Sequence, residues 1–376
     1  MRSLTEKIEK DPGLQLKRWI KRAFDRIRQR YPLFGFVAFE SCRYALHSLK
    51  NPFKRLLGRK PFSDEGLVFL PQYILHLARL RRIRAITCAI DSPTEGAGAQ
   101  AFHIMTAIGF ARATGLTYLH SPFTEIAHAD RPMQEWVAAW ESMFNLGAGE
   151  LPCDGRTRGV MHHDLRPNKD DMWMFFDQCF GWGGRDRELW QRLLTLMPDF
   201  RRKYYLNKSP RTTDEVTVAV HVRRGDVSTE NAMEKYTATE SILHIASAAK
   251  AILDSHAVSS SIRIYSQGAP EDFAELSPLG AELVLDADPI WTFQELVEAD
   301  ILVAAKSCYS HYAGFMSDGI KFFEESWTWR IVPATDDWVP CEPDGSFDRS
   351  AFESQLFLLL EEKERAKSAG YAQESK

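Results

Sequence analysis

From residue 216 onward the chain alternates short β-forming runs with amphipathic helical stretches, and that alternation constrains the fold more than any other feature. The runs at 216–222, 261–266, 282–285 and 301–304 are rich in Val, Ile and Leu, and helical patterns at 238–257, 270–276 and 292–298 separate them. A strand, helix, strand order of this kind builds a largely parallel sheet. A shorter version occurs earlier, with a strand at 84–90, a helix through Ala101, Ile104, Met105, Ile108 and Ala111 ending near Gly115, and a strand at 116–120. The expected class is α/β.

With 376 residues the chain exceeds what one core usually serves, so two α/β domains facing a crevice are expected. Residues 1–80 read as a basic helical segment and 81–207 as an N-terminal α/β domain. Residues 216–345 read as a C-terminal Rossmann-like domain, followed by a C-terminal helix and tail at 346–376 whose end, after Leu360, frays into solvent. The polar, proline-containing Lys208-Ser-Pro-Arg-Thr-Thr-Asp-Glu215 serves as the interdomain linker.

The formal net charge of −4 conceals an uneven distribution, because residues 1–60 carry sixteen Lys and Arg against five Asp and Glu. The rest is acidic, which argues against nucleic-acid binding by the whole chain. Within the basic segment, Leu14, Leu16, Trp19, Ile20, Phe24 and Ile27 recur at helical spacing. This amphipathic helix reads first as a docked helix with a solvated face, and second as a peripheral contact with an anionic membrane surface. No apolar run reaches the length that spans a bilayer and no signal-peptide core is present, so a cytoplasmic location is expected. The six cysteines are scattered and lack zinc-like spacing, which fits reduced, buried thiols.

The strand at 216–222 ends in His221-Val-Arg223-Arg224-Gly225-Asp226. In open α/β sheets ligands bind beyond the carboxyl ends of the strands. Arginine suits a diphosphate there, because its fork pairs bidentately with oxygens and keeps its charge. The bland alternative is an Arg–Asp network that only fixes the turn. Upstream, Asp91-Ser-Pro-Thr-Glu-Gly96-Ala-Gly98-Ala-Gln100 lies between a strand and a helix, where backbone donors at Gly96 and Gly98 can hold an anion. The same glycines can equally serve only a tight turn.

Three other features compete. Asp286-Ala-Asp288 has the form of a metal-binding pair in a metal-dependent sugar transferase. His162-His163-Asp164 lacks a third ligand and reads as a polar loop. The aromatic stretch from Trp173 to Trp190 reads as core packing before it reads as a sugar-stacking groove.

His221-x-Arg223-Arg224-x-Asp226 resembles a motif of the α1,6-, α1,2- and protein O-fucosyltransferase superfamily. Arg263-Ile-Tyr-Ser266-Gln is similar to its second motif, and Lys306-Ser307-Cys308-Tyr-Ser310-His-Tyr-Ala-Gly314 to its third, with Cys308 replacing a serine. Gly96-Ala-Gly98-Ala99-Gln100 looks like the helix start of the N-terminal half, with Ala99 replacing asparagine, and the resemblance spans about residues 84–325. It implies a GT-B fold and inverting transfer of fucose from GDP-fucose to a glycan acceptor, with no metal or other cofactor required. Arg223 would then hold the β-phosphate with support from Arg224, His221 would face the nucleotide, and Asp226 would orient the arginines. Ser307 and Ser310 would donate to the diphosphate, beside Ser266 at the end of the second motif. Glu230, in a segment similar to one in the α1,6 enzymes but one residue shorter, would be the base. The acid that reads guanine in the family is replaced by Thr292, with Asp288 a turn earlier. The alternatives are a non-catalytic nucleotide or glycan binder of the same fold, and the metal-dependent transferase using Asp286 and Asp288.

Overall fold

A computed structural model describes residues 84–88, 94–154, 160–163, 195–209, 211, 213–327 and 335–374. The basic helix at residues 14–30, the Trp173–Trp190 stretch, Asp164, Cys42 and Cys179 lie outside them. Residues Ala85–Lys376 form one compact unit. It is α/β, with two wholly parallel sheets.

The first sheet has four strands: β1 (Ala85–Cys88), β2 (Thr117–His120), β3 (Leu151–Pro152) and β4 (Val160–His163), in the order β3-β2-β1-β4. Every residue of the inner strand β1 is buried, as the apolar run predicts for a parallel strand covered on both faces. His162 and His163 belong to β4, opposite Thr87 and Cys88, so the polar loop expected there is a strand instead. Helix α1 (Ala97–Thr114) crosses from β1 to β2 and stops at Gly115, whose φ of 70° is the left-handed conformation that glycine adopts without strain. Helices α2 (Met133–Phe144) and α3 (Met197–Tyr204) also belong to this half.

The second sheet has six strands: β5 (Val216–His221), β6 (Ser260–Ser266), β7 (Glu282–Leu285), β8 (Ile301–Val303), β9 (Ile320–Glu324) and β10 (Trp338–Cys341). Their order is β10-β9-β8-β5-β6-β7, which puts β5 near the centre. Helices α4 (Thr239–Ser255), α5 (Pro289–Glu298), α6 (Cys308–Met316) and α7 (Arg349–Glu374) pack around it. The helix expected at 270–276 is a 3-10 helix, Pro270–Leu279, with Pro278 inside it. A proline lacks the amide proton an α-helix would need at that position.

One correction concerns the end of the chain. The end of the chain does not fray from residue 361, because α7 runs to Glu374 and Lys363 reaches into the sheet. Its Nζ lies 2.8 Å from both Asp300 oxygens and 3.2 Å from the Glu215 carbonyl, while Asp300 also accepts from the Thr217 amide at 2.8 Å. Lys363→Met should lower stability by about 1–2 kcal/mol, read as a lower urea midpoint at constant m-value, since it strips one partner from a partly buried carboxylate. The 208–215 segment is likewise tied down at both ends. Lys208 donates to the Met143 and Tyr204 carbonyls at 2.8 and 2.6 Å, and Arg211 pairs with the buried Glu295 of α5.

The helices of the two sheets share one aromatic core. Phe144 of α2 packs on Phe293 of α5 at 5.1 Å and on Tyr312 of α6 at 4.8 Å between ring centroids. Trp140 lies 5.8 Å from Phe293, and Phe102 of α1 lies 5.2 Å from Tyr312 and 5.3 Å from Phe315. Most of these pairs are edge-to-face, the arrangement in which a ring's positive rim meets its neighbour's negative face, each worth about 0.5–1.5 kcal/mol beyond area burial.

Candidate active site at the carboxyl end of the central strand

Where β5 ends, the Val222 amide donates to the Tyr265 carbonyl at 2.9 Å and the Ser266 hydroxyl donates to the Val222 carbonyl at 2.7 Å. The strand end is thereby stapled to β6 before the loop turns. Gly225 makes the turn at φ 81°, and a Cβ there would also lie 2.6 Å from the Gln267 amide oxygen. Only glycine meets both demands. Beyond it, the Asn231 side chain donates to the Asp226 carbonyl at 2.8 Å, and Ser228 bonds back to Asn231, so the loop is internally braced.

This frame holds Arg223 in a two-pronged pair with Asp226, Nε to Oδ1 at 3.1 Å and Nη2 to Oδ2 at 2.6 Å. Burial works to raise the Asp226 carboxyl, but hydrogen bonds and charge from Arg223, helped by His128, outweigh it and hold the group below the ordinary carboxylate range. Three guanidinium protons of Arg223 point elsewhere than Asp226, and a preorganised fork of this kind can meet a polyanion without losing its orientation.

His221 sits beside it, its ring 5.4 Å from that of Tyr309, and its Nδ1 has no hydrogen-bond partner among the described residues. Burial, with smaller contributions from Arg223 and His311, pushes its pKa down to about 3. The imidazole is therefore neutral at physiological pH and can donate or accept a hydrogen bond there.

Several residues placed here by sequence turn out to serve the frame. Arg224 donates to the carbonyls of Arg223 and Thr237 at 2.9 and 3.2 Å and to the Thr239 hydroxyl at 3.2 Å, with its guanidinium 4.3 Å from the Tyr236 ring. It staples the loop to the start of α4. Ser310 is fully buried and donates to the Ala305 carbonyl at 3.2 Å. Ser307 caps α6, accepting from the Tyr309 amide at 3.2 Å, and Ser266 spends its proton on Val222. Lys306 of the same motif pairs with Glu324 at 2.8 Å.

Gly98 is explained by packing. A Cβ there would fall 2.7 Å from the Cys308 carbonyl oxygen and 2.8 Å from the Tyr309 Cα, so the first turn of α1 lies directly against the first turn of α6. Gly96 is the N-cap residue of α1 at φ −74°, and the nearest atom to its added Cβ would be His128 Cδ2 at 3.7 Å. The buried Gln100 ties its loop together, donating to the Glu95 and Glu125 carbonyls at 2.9 and 2.8 Å.

The acidic candidates separate. Glu230 is exposed in the braced loop. Asp288 is the N-cap of α5, accepting from the Trp291 amide at 2.9 Å, and also pairs with Arg131. Asp286, at φ 51°, faces the Gly268 amide instead, so the two aspartates do not converge. Among the described residues no cluster of three or more His, Cys, Asp or Glu side chains could hold a metal.

Sequence reasoning overlooked the residues that close the site from the first sheet. Glu95, just before α1, faces His103 with Oε2 to Nε2 at 3.5 Å. The Cys308 thiol is raised to about 11 mainly by burial, and among the charges acting on it are Arg223 and Lys235, which lower it, and Glu95, which raises it. Glu95 lies three residues ahead of Gly98, whose backbone packs on Cys308 and Tyr309. The available signal was a lone carboxylate immediately ahead of a glycine-rich helix start.

No family model matches the chain, and no curated protein does. Among solved structures it is similar to the E. coli heptosyltransferase WaaC with ADP, at 13% identity and TM-score 0.35, covering 74% of this chain and 99% of that one. It is similar to the fucosyltransferase NodZ from Bradyrhizobium, at 12% identity and TM-score 0.34, covering 62% and 93%. POFUT1 in complex with GDP-fucose shows 13% identity and TM-score 0.32, covering 62% and 94%. Likenesses this loose carry nothing about what this chain binds, which has to be read from its own residues.

Proposed function

We propose that this chain is a glycosyltransferase that takes a nucleoside diphosphate sugar, with GDP-fucose the first candidate, and transfers the sugar with inversion to a hydroxyl of a glycan acceptor, without a metal. The reading is carried by one observation: Arg223, its fork fixed by Asp226, stands beside a neutral His221 at the carboxyl end of the central strand of a parallel sheet. Breaking the bond between the sugar and the diphosphate leaves new negative charge on the leaving oxygen. A cation already held in place stabilises that charge without reorganising during the reaction. On this reading the second sheet binds the donor and the first sheet's loops face the acceptor.

The reading gives Arg224 and Ser310 no contact with the donor, and it disfavours the metal-dependent alternative because Asp288 is committed to capping α5. Thermal melts with GDP, UDP, ADP and their sugars, all in EDTA, test it. A nucleotide at about 100 times its Kd adds about 2.7 kcal/mol of stability. GDP is expected to raise the Tm most. A rise with UDP or ADP but not GDP would remove fucose from consideration, and no rise with any of them would remove the sugar-nucleotide reading.

A further inference from the structure

We infer that Glu95 is the base that accepts the proton of the acceptor hydroxyl, and that His103 positions its carboxylate; this rests on the sugar-transfer reading above. Inverting transfer needs such a group on the side of the sugar opposite the leaving diphosphate. Glu230, the candidate from sequence, is exposed on the same loop as the phosphate clamp, with no side chain orienting it among the described hydrogen bonds and ion pairs.

Glu95 comes from the other sheet. It lies between β1 and α1, and the contact of Gly98 with the Cys308 carbonyl presses this end of α1 onto the start of α6. That contact brings the segment carrying Glu95 to the start of α6, where the Tyr309 ring lies 5.4 Å from that of His221 at the end of β5. The side chain is 34% exposed, open enough to meet a substrate, while Oε2 is shielded and turned to His103 at 3.5 Å. His128, in a left-handed conformation at φ 60°, adds a second imidazole beside Gly96, its Cδ2 3.7 Å from where a Cβ would stand there. A non-glycine residue held in that conformation costs energy and is concentrated at functional sites.

In the step, the acceptor oxygen forms a bond to the anomeric carbon while its proton passes to the Glu95 carboxylate. The bond from the anomeric carbon to the phosphate oxygen breaks, and its electron pair leaves with the nucleoside diphosphate held by Arg223. Atoms and charge balance with no co-reactant.

The fold uses the backbone carbonyl of Glu95, which accepts from Gln100 and from the Ala127 amide at 3.0 Å, so replacing the carboxylate leaves that bracing intact. Glu95→Gln is therefore expected to melt like wild type and to keep its nucleotide-induced Tm shift within about 1 °C, while kcat falls by roughly 10²–10⁴-fold. Retention of kcat within threefold, with the Tm shift unchanged, would overturn the assignment and leave the sugar-nucleotide reading standing. Loss of turnover in Glu230→Gln but not in Glu95→Gln would overturn it in favour of the loop glutamate. If no nucleotide stabilises wild type and it transfers no sugar, the functional reading and this inference fall together.

Discussion

Arg223→Ala is expected to abolish sugar transfer while leaving the protein folded. The loss of one preorganised group that stabilises developing charge costs about 3–4 kcal/mol of transition-state stabilisation, or roughly 10²–10³-fold in kcat. Nucleotide affinity should fall too, because the same fork meets the diphosphate before the reaction. Stability is a separate matter. Asp226 keeps 41% of its side chain exposed and can be solvated once its partner is gone, so the change in folding free energy should stay under about 1 kcal/mol. Arg223→Lys should not restore activity, since an ammonium cannot bond Asp226 through two parallel N–H groups and hold its direction. Steady-state kinetics, calorimetric titration with the nucleotide that stabilises wild type, and circular dichroism melts check all three points. A large loss of melting temperature in Arg223→Ala would show that the Arg–Asp pair is a turn brace and nothing more.

The second large effect is on packing. Gly98→Ala should destabilise the protein by about 2–3 kcal/mol, although alanine is the better helix former by about 1 kcal/mol. The added methyl would sit 2.7–2.9 Å from three backbone atoms of Cys308 and Tyr309, and backbone cannot step aside as a flexible side-chain tip can. For a cooperative unit spanning Ala85–Lys376 the Tm should drop by roughly 3–5 °C. Gly96→Ala is the control, because its methyl would meet nothing nearer than 3.7 Å and its φ is ordinary. Equal melting temperatures for the two variants would mean that the close approach of α1 and α6 is not what fixes this glycine.

Much of the second sheet was legible because its strands and helices keep their own periods. The strand at 282–285 fell where expected, and those at 216–222, 261–266 and 301–304 within one residue. β9 carries no such signal, because Lys321 interrupts Ile-Lys-Phe-Phe-Glu and reads as a solvent-facing residue. In the fold it is fully buried, paired with Asp337 and donating to the Gly319 carbonyl at 2.6 Å. β10 contains Pro340, which usually argues against a strand but is tolerated at the edge of a sheet, where β10 lies. The site divides along a similar line. The arginine and aspartate of the clamp are local in sequence, so their pairing could be read from it. That Ser310 and Arg224 face inward depends on burial and on partners in other elements, and the approach of Gly98 to Cys308 joins residues more than two hundred positions apart. No spacing rule reports either.

The aromatic core that interlocks α1, α2 and α3 with α5 and α6 bears on how such a site would work. Two lobes joined by a thin strap can swing shut on a substrate, but lobes whose rings interdigitate cannot part without opening a shared interior. The jaw here is set rather than sprung. A donor would find its pocket wall already built, with no entropy to spend on bringing the halves together. Any closure on a substrate would then fall to loops at the surface and not to a swing of one sheet's helices against the other's.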